Sequence, residues 1–177
     1  MRMKRVVFDA AVHEHGRKVF SLALYLLGDH PEAEDVTQEV LIRLWRRGAE
    51  VDPDRIGSWL LKVTRNACID VIRRRKNTVV PMATPGTDLE FEPVVASPGP
   101  EMLAGASQLG QRITGALTRL AEPQRSIVIL REIHGLAYQE IAEVLQIPMS
   151  TVRVSLHRGR RKLREDLKEE VNHVAVC

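Results

Sequence analysis

Residues 135–164, GLAYQEIAEVLQIPMSTVRVSLHRGRRKLR, constrain the fold more than any other stretch of this chain. Ile141 and Leu145 are spaced to line one face of a short helix. Ala142 is small, as a residue must be where two helices cross closely. A turn follows, ending at Pro148. A second helix then begins, with Ser150 placed to cap it by accepting a hydrogen bond from the Arg153 amide. Val152, Leu156 and Leu163 give that helix an apolar stripe. Arg153, His157, Arg158, Arg160, Arg161 and Arg164 leave its other faces cationic. Short helix, tight turn and basic helix together make a helix-turn-helix, whose second helix enters the DNA major groove. A solvated basic helix would explain the arginines, but not the apolar register, the turn and the cap as well.

Charge is distributed unevenly. The net charge is only +3, yet residues 153–168 hold seven Lys/Arg against two acids, and Arg73-Arg74-Arg75-Lys76 is an unbroken basic run. Local patches decide binding to a polyanion, because salt confines electrostatic fields to roughly 10 Å. The 177 residues suffice for one medium domain or two small ones, and 44% hydrophobic content supports a core. With 4% aromatic residues that core is mainly aliphatic. Cys68 and Cys177 are the only cysteines and suggest no secreted scaffold. No signal peptide or membrane span is expected, which makes a cytoplasmic protein with reduced thiols the default.

Helical periodicity dominates, so an all-α fold is expected. One amphipathic helix covers 6–27 and closes near Gly28. Asp29 and Glu32 form a capping pattern for a second helix, with Pro31 tolerated in its first turn, running to about Arg47. Its acidic first half (Glu32, Glu34, Asp35, Glu39) and basic second half (Arg43, Arg46, Arg47) suit the helix dipole. A third helix covers roughly 55–75, with Leu60, Thr64, Ala67 and Val71 on its buried side and Lys62, Asn66, Asp70 and Arg73 opposite. Residues 78–107 hold five of the nine prolines, four acids and no Lys or Arg, and read as an acidic linker. Helices are expected again at 101–121 and 123–134, before the helix-turn-helix. The expected architecture is two small helical domains, 1–77 and 108–177, joined by a Pro-rich tether.

Three segments resemble bacterial sigma-70-type initiation factors of the compact extracytoplasmic-function (ECF) group. PEAEDVTQEVLIRLWRR is similar to their second conserved region. GSWLLKVTRNACIDVIRRRK is similar to the portion that reads the minus-ten promoter element, and LAEPQRSIVILREIHGLAYQEIAEVLQIPMSTVRVSLHRGRRKLREDL to the fourth region, which reads the minus-thirty-five element. The sequence holds no nucleophile–base constellation, phosphate-binding glycine loop or metal-ligand cluster, so no catalytic group, cofactor or metal is expected. The resemblance implies core RNA polymerase and promoter DNA as partners, and an anti-sigma factor as regulator.

By that resemblance, Asp35, Gln38, Glu39, Leu41 and Trp45 dock on the polymerase clamp, although Leu41 and Trp45 fit a core role equally well. Lys62, Arg65, Asn66, Asp70, Arg73 and Arg74 face minus-ten DNA. Asp70 can also pair within its helix to Arg73 or Arg74. The loop at about 50–57 forms the pocket for an extruded base. Ser150, Thr151, Arg153, Val154, His157, Arg158 and Arg161 read or bind the minus-thirty-five element. Ile127, Leu130 and Ile133 are core residues that can share in docking on the polymerase flap.

Departures from the family pattern are Ala137 in place of a Ser or Thr cap, Gln146 in place of a turn Gly, Ser150 in place of Gly and Val154 in place of Ser. The thirty linker residues average about 30 Å end to end and reach about 100 Å, against roughly 70 Å between elements two helical turns apart. Two rivals remain from sequence: a stand-alone helix-turn-helix regulator, and a sigma mimic that sequesters an anti-sigma factor. The RNACIDVIRRRK segment argues against the first and the intact basic faces against the second. His173 and Cys177 have metal-compatible spacing, but two ligands do not close a zinc site.

Overall fold

The computed structural model describes residues 3–79 and 108–174, with side chains over 3–77 and 110–168. Most of the expected linker, and Cys177 with its pairing to His173, lie outside the described residues. Those described form helices and no strand: α1 (Arg5–Leu27), α2 (His30–Arg47), α3 (Ile56–Val79), α4 (Gln108–Thr118), α5 (Gln124–Val128), α6 (Tyr138–Leu145) and α7 (Met149–Val174). Short 3₁₀ turns, Gly48–Glu50 and Pro53–Arg55, connect α2 to α3. No helix among the described residues is long and apolar enough to cross a membrane.

The helix ends follow from local chemistry. α1 stops because Gly28 adopts φ 67°, a left-handed conformation that costs glycine little, and its N–H returns to the Leu24 carbonyl. The Asp29 carboxylate then accepts the Glu32 amide at 2.9 Å and starts α2, with Pro31 in the first turn. Gly28 is also a close-approach position: a Cβ there would lie 2.9 Å from Thr118 Cγ2 on α4.

Three of the expected elements change. The third helix runs on to Val79 rather than ending near 75. The expected 101–121 helix is described only from Gln108 and ends at Thr118, with 101–107 outside the described residues. The expected single helix over 123–134 is α-helical only from Gln124 to Val128, then widens into one π-helical turn over Ile129–Ile133. The wider turn keeps Ile129 and Leu130 fully buried and brings the chain to Gly135, where φ is 71°.

The N-terminal core is built from Val19, Leu22 and Leu26 of α1, Val40 and Leu44 of α2, and Leu60 and Ala67 of α3. The C-terminal core joins Leu117 and Leu120 to Ile127, Leu130, Ile141, Val152 and Leu156. Burying each such leucine or isoleucine contributes about 1.5–3 kcal/mol. α7 approaches α5 closely at Gly159, where a Cβ would meet Val128 Cγ2 at 2.7 Å. Thr64 is fully buried and donates its hydroxyl to the Leu60 carbonyl at 2.7 Å, so its place on the apolar side leaves no unmet donor.

The two units pack against each other, and their buried side chains form one continuous cluster. Arg125 makes the central polar connection: it donates to Leu26 O on α1 at 3.0 Å, to Leu120 O at 2.9 Å and to Thr118 O. Burial, first of all, pushes the Arg125 guanidinium pKa down; it stays protonated because a guanidinium is not deprotonated in proteins. His134 sits against α1 with Nε2 buried and without a hydrogen-bond partner. Burial, then Lys18, hold its pKa below the usual 6.5, so it is neutral at pH 7.

Cys68 is fully buried, with its thiol pushed up to about 12 chiefly by burial and then by Glu122 and Glu32. The folded state therefore favours the neutral thiol. That contribution is complete below the unfolded value of 9.0 and is lost as pH rises through the range up to about 12. In a Cys177→Ser background, Cys68 should resist a thiol-specific reagent at pH 8 and react at once in denaturant. Fast labelling of the native protein would contradict its burial.

Candidate nucleic-acid interface

The helix-turn-helix is formed by α6 and α7. Ile141, Val144 and Leu145 are buried beneath α6, and Val152 and Leu156 beneath α7. Gln146 closes α6 at φ 55°, ψ 45°, the left-handed conformation expected where glycine is the easier residue. Its N–H bonds back to Glu143 O, and the Ile147 N–H to Ala142 O.

Of the two expectations about the caps, one holds and one is corrected. Ala137 lacks a side-chain acceptor, as expected, but its own N–H donates to Glu140 Oε2 at 2.6 Å. Half of a capping box therefore survives and offsets part of the lost cap. Ser150 is not the cap of α7. That helix starts at Met149, the Val152 N–H bonds to Pro148 O, and Ser150 lies in the first turn with its side chain exposed.

A helix places residues three and four apart on one face. Ser150, Thr151, Val154, His157, Arg158 and Arg161 consequently form one stripe on α7, opposite Val152, Leu156 and Gly159. All of the stripe is exposed except Thr151, which is half-buried. Arg153 is exposed at its edge. Val154 is the unusual member, an apolar side chain 50% exposed at the centre of a polar and cationic surface. Arg161 lies 3.8 Å from Glu165 in an exposed pair that contributes little. Arg160 is turned away from the stripe, pairing with Glu132 at 2.5 Å, and its pKa is raised mainly by that hydrogen bond.

On α3, Asn66, Asp70, Arg73 and Arg74 are exposed and Lys62 is half-buried, all on the side away from the core. Asp70 lies 3.9 Å from Arg73, and Arg74 Nε donates to Asp70 O at 3.3 Å. Arg65 behaves differently. It is turned to Glu122 of the C-terminal unit, with Nη2 3.3 Å from the carboxylate and Nε buried without an acceptor. The basic run is divided as well. Arg75 pairs with Glu32 and donates to Leu27 O at 3.2 Å, which makes it a structural clamp on α1 and α2. Burial, then Arg125 and Arg73, lower the Lys76 pKa.

On α2, Asp35, Gln38 and Glu39 are exposed on one face, with Glu39 held by Arg43 at 2.5 Å. Leu41 is half-buried against the core, and the half-buried Trp45 meets the Phe8 ring edge-on at 5.2 Å. Ile42, 50% exposed, joins the Asp35, Gln38 and Glu39 face, a position the sequence reading missed. Its i, i+3, i+4, i+7 register with those polar residues was the available signal.

Residues 11–78 match the sigma-70 region 2 family, and residues 110–163 match sigma-70 region 4. The chain is 32% identical to the ECF RNA polymerase sigma factor SigW of Bacillus subtilis, covering 86% of this chain and 84% of that one. The chain belongs to the extracytoplasmic-function sigma factors. It is also 35% identical to SigE of Mycolicibacterium smegmatis over 95% of its own length, but spans only 64% of that relative. Among solved structures, the sigma factor RpoE of Bartonella quintana, in complex with the anti-sigma factor NepR, is similar in fold. The TM-score is 0.69 at 21% identity, covering 91% of this chain and 96% of that one. CnrH, in complex with the cytosolic domain of CnrY, has a TM-score of 0.66 at 22% identity, over 92% of this chain and 88% of that one.

In this ECF factor, α6 has a backbone N-cap geometry at Ala137 (φ −68°, ψ 159°) without a capping side chain. Ala137→Ser should supply the missing acceptor for the Glu140 amide. The expected gain is about 0.5–1 kcal/mol, measured as a higher urea midpoint at unchanged slope. A loss of stability would mean that the half-box formed by Glu140 has no room for the hydroxyl.

Proposed function

We propose that this chain is a dissociable promoter-specificity subunit that recruits core RNA polymerase, recognises two promoter elements and helps open the duplex, making and breaking no bond itself. The observation that carries the reading is the pairing, in one chain, of an exposed Asn66–Asp70 face in the region 2 match with an exposed α7 stripe in the region 4 match. A stand-alone regulator has no use for the first, and a decoy needs neither.

In this reading residues 1–77 dock on polymerase and read the minus-ten element, 78–107 are a tether, and 108–177 read the minus-thirty-five element. Asp35, Gln38, Glu39 and Ile42 form the docking face, with Leu41 supporting it from the core and Trp45 from its contact with Phe8. Asn66 and Asp70 bond to base edges of an opened strand, while Lys62, Arg73 and Arg74 neutralise phosphate. Arg153 and Arg158 pair with guanine, each good bidentate pair adding about 1–3 kcal/mol of discrimination. The site of action is the cytoplasm, where polymerase works. RpoE is held by the anti-sigma factor NepR in the structure named above, and a partner of that class is the proposed off-switch here.

Run-off transcription with purified core polymerase tests the reading. Product should require both the chain and core enzyme. Tight, sequence-specific binding of a palindrome by the isolated chain would support the repressor alternative. Asn66→Ala combined with Asp70→Ala should weaken promoter opening at least tenfold and leave polymerase binding intact. Unchanged permanganate reactivity at the start site would refute the assignment of these two residues.

Val154 gives a second test. An apolar side chain centred on a groove-facing stripe contacts the thymine 5-methyl group. Selection of active minus-thirty-five sequences from a randomised library should show a thymine preference that Val154→Ser relaxes. An identical preference in the two proteins would assign the position to another side chain.

A further inference from the structure

Arg65 is the one member of the expected minus-ten face that the structure takes out of service. Its guanidinium reaches across to the C-terminal unit and lies 3.3 Å from Glu122 Oε2, with the two side chains 21% and 26% exposed. Glu122 is itself oriented. The buried Ser126 hydroxyl donates to its carboxylate, 2.8 and 2.9 Å from the two oxygens. Arg65 is less well provided. Nη1 is 3.5 Å from Asn66 Oδ1, and Nε is buried with no acceptor.

We propose that the Arg65–Glu122 contact is an autoinhibitory latch, in which the Glu122 carboxylate occupies the guanidinium that would otherwise neutralise a promoter phosphate. The inference rests on the promoter reading above. Phosphate and carboxylate are the two anions a guanidinium binds best, and they compete for the same donors. The geometry also excludes simultaneous use of both readers. Elements two helical turns apart are separated by roughly 70 Å, whereas here the minus-ten helix and the C-terminal unit touch. The closed chain must open before it can read a promoter. Its apparent DNA affinity is lowered by the fraction of molecules that are closed.

Incomplete satisfaction makes the latch releasable. A buried guanidinium N–H without an acceptor costs free energy that an arriving phosphate or polymerase contact can recover. A fully bidentate pair would hold the closed form more firmly. Elsewhere the units meet through apolar packing and the Arg125 hydrogen bond to Leu26 O, with a gap of about 140 Å³ lined by His15, Lys18, Ser58, Leu61, Leu136 and Glu140. That imperfect fit leaves a larger share of the closing energy to polar groups.

Small-angle X-ray scattering of the full chain reads the contact directly. Glu122→Gln removes the charge and keeps an acceptor for Ser126. It should raise the open population about three- to tenfold and enlarge the radius of gyration. Asp9→Asn, the same charge change at an exposed site on α1, should leave the radius unaltered. The exchanged pair, Arg65→Glu with Glu122→Arg, should restore compactness. In limiting-factor run-off assays, Glu122→Gln should reach half-maximal product at about three- to tenfold lower concentration than the parent chain.

Equal radii for the parent and Glu122→Gln would overturn the latch, as would an exchanged pair as open as Glu122→Gln. The promoter reading fails separately. A chain that opens on Glu122→Gln but gives no run-off product with core polymerase would refute that reading and, with it, any inhibitory role for the contact. Product without any scattering difference would refute the latch alone.

Discussion

The C-terminus of α1 is where the molecule is tied together. A helix leaves its last carbonyls without intrahelical partners and carries a partial negative charge there. Two guanidiniums take up that end. Arg75, from the far end of α3, donates to Leu27 O while pairing with Glu32 on α2. Arg125, from the C-terminal unit, bonds to Leu26 O. Gly28 makes both approaches possible by turning the chain sharply and leaving no Cβ against Thr118. Three helices of one unit and the corner of the other thus depend on one helix end. A polar clamp at this place orders what the aliphatic core alone would leave loosely specified, because leucine and isoleucine pack in many registers.

The same clamps explain why counting basic residues overstates the DNA-binding surface. Of the run Arg73–Lys76, Arg75 is committed to structure. Arg125, inside the region 4 match, donates to the backbone carbonyls of Leu120, Leu26 and Thr118. Arg160 is paired to Glu132 and Arg119 to Asp166 at 3.4 Å. In the promoter reading proposed above, the surface left for a nucleic acid is narrower and more directional than the sequence suggests: the exposed Asn66, Asp70, Arg73 and Arg74 on one unit, and Arg153, His157, Arg158 and Arg161 on the other. Such division fits specific reading better than general adhesion, since phosphate contacts position and only base-edge contacts specify.

Much of the fold was legible because its signals are local. The 3.6-residue period, Asp29 with Glu32, and the glycines at 28 and 135 are written within a few residues of the structures they cause. Gln146 in a left-handed turn was legible for the same reason. What was not legible depends on partners distant in sequence. The π-helical turn at Ile129–Ile133 answers to packing of Ile129 and Leu130, not to any turn residue. Gly159 looks like a helix weakness until Val128 is seen against it. Ser150 was misread because any Ser after a Pro resembles a cap, and only the Val152-to-Pro148 hydrogen bond fixes where α7 begins. Arg65 was assigned to DNA by the family resemblance, and nothing near it in sequence points to Glu122.

These two kinds of information bear on function differently. The local signals define each unit's helices, so the exposed polar and cationic stripes of α3 and α7 are legible from sequence. The distant contacts define how the units are held when no promoter is present, and they use some of the same atoms. The Arg65 Nη2 that meets Glu122 is not available to a phosphate while the pair is closed. A chain whose reading surface is also its closing surface has its affinity and its restraint coupled through one guanidinium. Strengthening the closed form by better satisfying Arg65 would weaken promoter binding by the same free energy. The imperfect pair is therefore the compromise expected of a subunit that must both stay shut and let go.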